Sequence, residues 1–108
     1  MEIAYDKVDK LLKIKITEEI DHHTSEKIRR RADYEIQRYM PKRVVLDFSK
    51  VSFMDSSGIG MVVGRYKFVS MLGGKLILEN VNESLEKVFK MSGILKIIPV
   101  QNTSENAG

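Results

Sequence analysis

Val51-Ser52-Phe53-Met54-Asp55-Ser56-Ser57-Gly58-Ile59-Gly60 joins two segments of different periodicity. Before it, Val44-Val45-Leu46-Asp47-Phe48 is a near-continuous apolar run, which predicts a buried, parallel strand. After it, the apolar residues of 59–72 recur at helical spacing. The junction therefore reads as strand, short connection, helix, with a serine pair at the helix entrance. A serine there can cap the helix through its oxygen. The same position offers backbone N–H groups and a positive dipole end to an anion. A hydroxyl so placed is suited to carrying or meeting a phosphate.

Working outward, Ile59, Val62, Val63, Tyr66 and Val69 share one helix face and are expected to pack on a sheet. At about 100° per residue, Met61, Phe68 and Leu72 fall on roughly the opposite side. Gly73-Gly74 ends the helix. Lys75-Leu76-Ile77-Leu78-Glu79 reads as the next strand. Asn82 suits the cap of a short helix carrying Leu85, Val88, Phe89 and Met91, closed by Gly93. Leu95, Ile97, Ile98 and Val100 predict a last short strand, and residues 101–108 a polar, frayed tail.

Toward the N-terminus, Ile28, Ala32, Ile36 and Tyr39 form one helical stripe that Met40-Pro41 stops. Its N-cap is either Asp21 or Thr24. Leu12, Ile14 and Ile16 alternate with Lys13, Lys15 and Thr17, a strand with one wet face. Ile3 and Tyr5 belong to a first strand, joined to it as a hairpin through the polar stretch 6–10. The expected order is β-β-α-β-α-β-α-β. It describes a single α/β domain over residues 1–100, with a mixed, mostly parallel sheet and helices packed on it.

The 108 residues suffice for one domain with its own core. Hydrophobic content of 43% and charged content of 31% are those of a globular chain rather than a disordered one. There is no cysteine, which excludes disulfides, thiolate metal sites and cysteine nucleophiles. It also suits the reducing cytoplasm, where the chain is expected to reside. No apolar run approaches the roughly 20 residues that span a bilayer. Met1-Glu2-Ile3 offers neither a basic n-region nor an h-region, so no secretion signal is expected. A net charge of +3 gives little ground for direct nucleic-acid contact, and Arg29-Arg30-Arg31 is expected on a solvated helix face.

Four chemistries compete for the junction. Ser56, His22 or His23, and one of Asp21, Asp47 or Asp55 are the residue types of a hydrolase triad, but Met54-Asp55 departs from the G-x-S-x-G elbow. Gly58, Gly60 and Gly64, with Glu79 after the next strand, suggest a nucleotide-binding module in which glycines cradle a phosphate. Their spacing departs from G-x-G-x-x-G, and a second βαβ half is missing; packing accounts for the same residues, with Gly58 and Gly60 thinning the helix start and Gly64 allowing a close approach to a neighbouring helix. His22-His23 with Asp21 and Glu26 could be read as metal ligands, yet no histidine stands at i, i+4, and capping explains the cluster. The fourth reading is a regulatory phosphosite. Phosphorylation of Ser56 would add about −1.5 to −2 charges beside Asp55 and the Asp21 loop, changing a docking surface without refolding the domain.

Asp21-His22-His23-Thr24, then Phe53-Met54-Asp55-Ser56-Ser57-Gly58-Ile59-Gly60, Gly64-Arg65-Tyr66-Lys67 and Met91-Ser92-Gly93 together resemble the STAS-domain anti-sigma factor antagonists, the sporulation branch above all. The match runs through nearly the whole chain. It departs in the short polar tail, where sporulation antagonists continue into a final helix. The resemblance implies a chain that is not an enzyme, needs no cofactor and is monomeric when free. Its expected partner is an anti-sigma factor that is also a serine kinase with bound ATP or ADP. Binding would release a sporulation sigma factor. Phosphorylation of Ser56 would end binding, and a serine phosphatase would restore it. Ser57 matches the second, unmodified serine, a cap, and Asp21 an acidic residue that contacts the kinase. The expected docking surface comprises Asp21, Asp55, Ser56, Ser57, Gly58 and Gly60, with Met61 and Phe68 as its apolar part.

Overall fold

The computed structural model describes residues 1–102. Its strands are β1 Glu2–Asp6, β2 Leu11–Lys15, β3 Arg43–Asp47, β4 Lys75–Glu79 and β5 Val100–Gln101. Its helices are α1 His22–Tyr39, α2 Ser56–Met71 and α3 Glu83–Ser92. The sheet runs in the order β1-β2-β3-β4-β5, with β1 antiparallel to β2 and every later pair parallel. Three successive crossovers step the chain the same way along the sheet, and their right-handedness puts all three helices on one face.

Burial follows from that arrangement. Leu12, Ile14, Val44, Leu46, Leu76 and Leu78 are the alternate residues of their strands, and all are buried in one cluster with Val62, Val69, Leu85 and Phe89 of the helices. Phe48 meets Phe89 edge to face at 5.5 Å. The other sheet face carries Lys13, whose ammonium lies 3.7 Å from the Asp47 carboxylate and 3.3 Å from that of Glu79. Both acids are almost buried, and burial of charge requires such a partner.

The first hairpin, α1 ending at Met40, β4 and the Asn82-capped α3 closed by Gly93 (φ 82°) all stand where the periodicity places them. Four expectations need correction. The short strand expected to carry Leu95, Ile97, Ile98 and Val100 does not form over that whole stretch. The chain there forms a 3-10 turn over Ile94–Lys96 that buries Ile94 and Ile98, and only Val100 and Gln101 reach the sheet. Met91 is 88% exposed instead of joining Leu85 and Phe89 in the core. Met61 is only 5% exposed, and Phe68 and Leu72 are half-buried against the core, so this side of α2 is not free. The reason is α1, which packs along α2: Arg65, four residues on from Met61, pairs with Asp33 of α1. Finally, an added Cβ at Gly64 would meet no atom within 4 Å, so that glycine serves no close helix approach. Residues 103–108, the rest of the expected frayed tail, lie outside the described residues.

Candidate functional site

Three connections meet at the carboxyl ends of the parallel strands, residues 16–21, 48–55 and 80–82. Ile20 and Met54 form a parallel bridge. The Ile20 N–H donates to the Phe53 carbonyl at 3.2 Å, and the Asp55 N–H to the Ile20 carbonyl at 3.0 Å. The Glu19 carboxylate accepts from the backbone N–H groups of Ser52 (2.9 Å) and Phe53 (3.1 Å), and from the Ser52 hydroxyl. The Ser52 hydroxyl and these N–H groups hold Glu19 below the usual carboxylate range. Asn82 ties the third connection in, donating to the Val51 carbonyl at 3.1 Å. Asp21 and Ser56 therefore sit on adjoining, mutually bonded segments.

The choice between Asp21 and Thr24 as cap of α1 resolves into a reciprocal pair. Asp21 Oδ1 accepts the Thr24 N–H at 2.8 Å, and Thr24 Oγ1 accepts the Asp21 N–H at 2.9 Å. The carboxylate stays exposed and ionised, lowered chiefly by the Thr24 N–H. His22 and His23 are the first two residues of α1 and are exposed. Among the described residues no group of His, Cys, Asp and Glu is arranged to hold a metal ion.

At α2 the cap is Asp55, not a serine. Asp55 Oδ1 accepts the Ser57 N–H at 2.9 Å and also the Ser57 hydroxyl, and the Asp55 carbonyl accepts the Gly58 N–H at 3.0 Å. Ser57 is thus a partner of the cap, correcting its expected role. Ser56 is the first helical residue, exposed, and its hydroxyl makes no hydrogen bond among the described residues. No bond links it to His22 or His23, so the triad is not assembled.

The glycines also lose their phosphate-cradle reading. The Ser57 and Gly58 amides at the start of α2 are taken by Asp55, whose carboxylate occupies the helix mouth, and Glu79 is held by Lys13. Gly58 is instead a packing requirement: a Cβ there would lie 2.2 Å from Met54 Cγ and 3.1 Å from Ile20 Cγ2. Gly58→Ala should lower stability by about 1–3 kcal/mol through overpacking. Gly64→Ala, with open space around it in a helix interior, should raise it by about 0.5–1 kcal/mol. Urea midpoints of the two variants moving in opposite directions would check both.

The structure brings Asp21, Asp55, Ser56, Ser57, Gly58 and exposed Gly60 into one region. Met61 and Phe68 do not join it as an exposed apolar surface. Sequence reasoning missed two residues, Glu19 and Phe53. Phe53 is 57% exposed while Val51 and Met54 on either side are buried. Nothing in the periodicity of so short a connection marks that difference.

A family model described as the STAS domain matches residues 2–107. An anti-sigma F factor antagonist of Paenibacillus polymyxa is 38% identical over 97 residues, covering 90% of this chain and 83% of that protein. The solved structure of the anti-sigma factor antagonist SpoIIAA in its unphosphorylated form is similar at 33% identity and a TM-score of 0.78, covering 98% of this chain and 92% of that one. The structure of the Bacillus cell fate determinant SpoIIAA in the phosphorylated form is similar at 33% identity and a TM-score of 0.71, covering 98% and 96%.

Proposed function

This chain belongs to the STAS domain family, and from that premise we propose that it is an anti-sigma factor antagonist whose hold on its partner is switched off by a phosphate on Ser56. In the unphosphorylated form it binds an anti-sigma factor that is a serine kinase carrying ATP or ADP, and this releases a sporulation sigma factor. The kinase esterifies Ser56, and a serine phosphatase removes the phosphate. The chain acts in the cytoplasm as a monomeric kinase substrate rather than as an enzyme, without touching DNA. No helix among the described residues is long and apolar enough to cross a membrane.

One observation carries this reading: the Ser56 hydroxyl is exposed, makes no hydrogen bond among the described residues, and lies on a segment bonded to the one that carries exposed Asp21. Asp21 supplies a fixed carboxylate for a basic partner side chain. A phosphate on Ser56 competes for that cation and fills the space the partner surface needs. Support comes also from the similarity to SpoIIAA, for which a phosphorylated form has been solved. Incubation with purified Paenibacillus polymyxa anti-sigma F factor and ATP should add one phosphate to the wild-type chain by intact mass, and none to Ser56→Ala. A phosphate on the variant, or none on the wild type, overturns the assignment.

A further inference from the structure

We infer that Phe53 is the apolar anchor of the docking surface, entering an apolar pocket on the anti-sigma factor whose rim is basic. The inference rests on the proposed function and names what that surface presents.

Phe53 is 57% exposed, although the nearest apolar residues along the chain, Val51 and Met54, are 2% and 4% exposed. Its backbone is not loose. The N–H is bonded to Glu19 and the carbonyl to the Ile20 N–H, so both polar groups are pinned by the two residues preceding Asp21. The Ser52 N–H and hydroxyl on the same Glu19 carboxylate fix the residue before it. The ring is thus displayed outward by a backbone held on both sides. An aromatic side chain has few torsions to freeze, and a preorganised loop leaves little ordering to be done on binding.

Charge defines the partner. Glu19, Asp21 and Asp55 belong to the two connections that hold the ring; residues 16–21 carry no lysine or arginine and residues 48–55 carry one, Lys50, so acids outnumber bases around it. A ring set among carboxylates fits an apolar pocket with basic groups around it. The surface is also continuous with Asp21 and Ser56, so a partner that reads the phosphate state covers Phe53 as well. Glu19 acts as a positioning residue, setting the loop that displays the ring.

The test is calorimetric titration of the full chain into Paenibacillus polymyxa anti-sigma F factor with ADP present, so that no phosphoryl transfer occurs. Phe53→Ala should weaken binding at least about 30-fold, the loss typical of a central anchor. Phe53→Leu, which keeps apolar bulk, should recover most of it. Met91→Ala removes an exposed apolar side chain at the other end of the strands and should leave affinity within about twofold. Thermal midpoints of the Phe53 variants should match the wild type. Glu19→Ala should weaken binding on its own but add nothing in the Phe53→Ala background, a coupling that a merely structural role would not produce. Wild-type affinity in Phe53→Ala, with Ser56→Asp still impaired, overturns the anchor and leaves the phosphate switch standing. Wild-type affinity in both variants removes the docking reading and the anchor together. Equal losses in Phe53→Ala and Met91→Ala also overturn the anchor, because contact would then be unspecific.

Discussion

Asp33→Ala is expected to lower the unfolding free energy by about 3 kcal/mol, because it strands a guanidinium inside the seam between α1 and α2. Arg65 is only 6% exposed, and its Nε lies 2.9 Å from Asp33 Oδ1. The N–H is not well aimed at that oxygen, and Arg65 Nη1 has no hydrogen-bond partner among the described residues. Desolvation dominates both members: it raises the Asp33 pKa despite the nearby Arg65, and lowers that of Arg65 despite Asp33. The pair is therefore costly to bury and more costly to halve. An arginine cannot shed its proton to escape, so removing the acid leaves the charge without its contacting partner, Glu26 acting only from farther off. The same reasoning makes the paired replacement Asp33→Leu with Arg65→Met close to neutral. Chemical denaturation of the single and double variants checks both statements, and a double variant as unstable as Asp33→Ala would contradict the desolvation argument.

The second large effect is on binding. Ser56→Asp should weaken the complex with the anti-sigma factor, and the phosphorylated chain should weaken it more than about a hundredfold, since the phosphate fills space the partner surface needs and takes the cation from Asp21, and breaking a buried charge pair at an interface costs about 2–5 kcal/mol. Ser56→Ala should still bind, because the hydroxyl makes no bond among the described residues that its removal would break. Titrations of the three forms read the order directly. Phosphorylated chain that binds as tightly as unmodified chain would end the switch reading.

Much of this architecture is legible in the residues, and the reasons differ by element. β3 and α2 are plain because the period changes from a continuous apolar run to helical spacing across one junction. α3 is plain because Asn82 and Gly93 bracket an apolar stripe, and both act as cap residues in the fold. The caps of α1 and α2 were harder. Asp21 and Thr24 are both capping types and both bond, while Asp55, Ser56 and Ser57 are three candidates in a row. Only the backbone decides among them: Asp55 is extended, with φ −90° and ψ −176°, and the serines are already helical.

Met61 was misplaced because one helix projected on a wheel does not reveal a second helix beside it. α2 is covered by the sheet on one side and by α1 on another, so an apolar residue off the main stripe is still core. The run after Gly93 has the apolar content of a strand. Its geometry is that of tight turns instead, with the Ile97 N–H donating to the Ile94 carbonyl at 3.0 Å. Phe53 and Glu19 were invisible for a different reason. Their relation spans more than thirty residues of chain and exists only once Ile20 and Met54 are bridged.

The capping carboxylate of Asp55 has one more consequence. A helix start is where a phosphoryl group would ordinarily settle, drawn in by unsatisfied amides. Here the Ser57 and Gly58 amides are already bonded to Asp55, an acid of like sign, so an ester on Ser56 would be turned outward into water. Under the proposed switch, removing that ester would break no capping bond of α2, and the signal would last only as long as the proposed kinase and phosphatase allow.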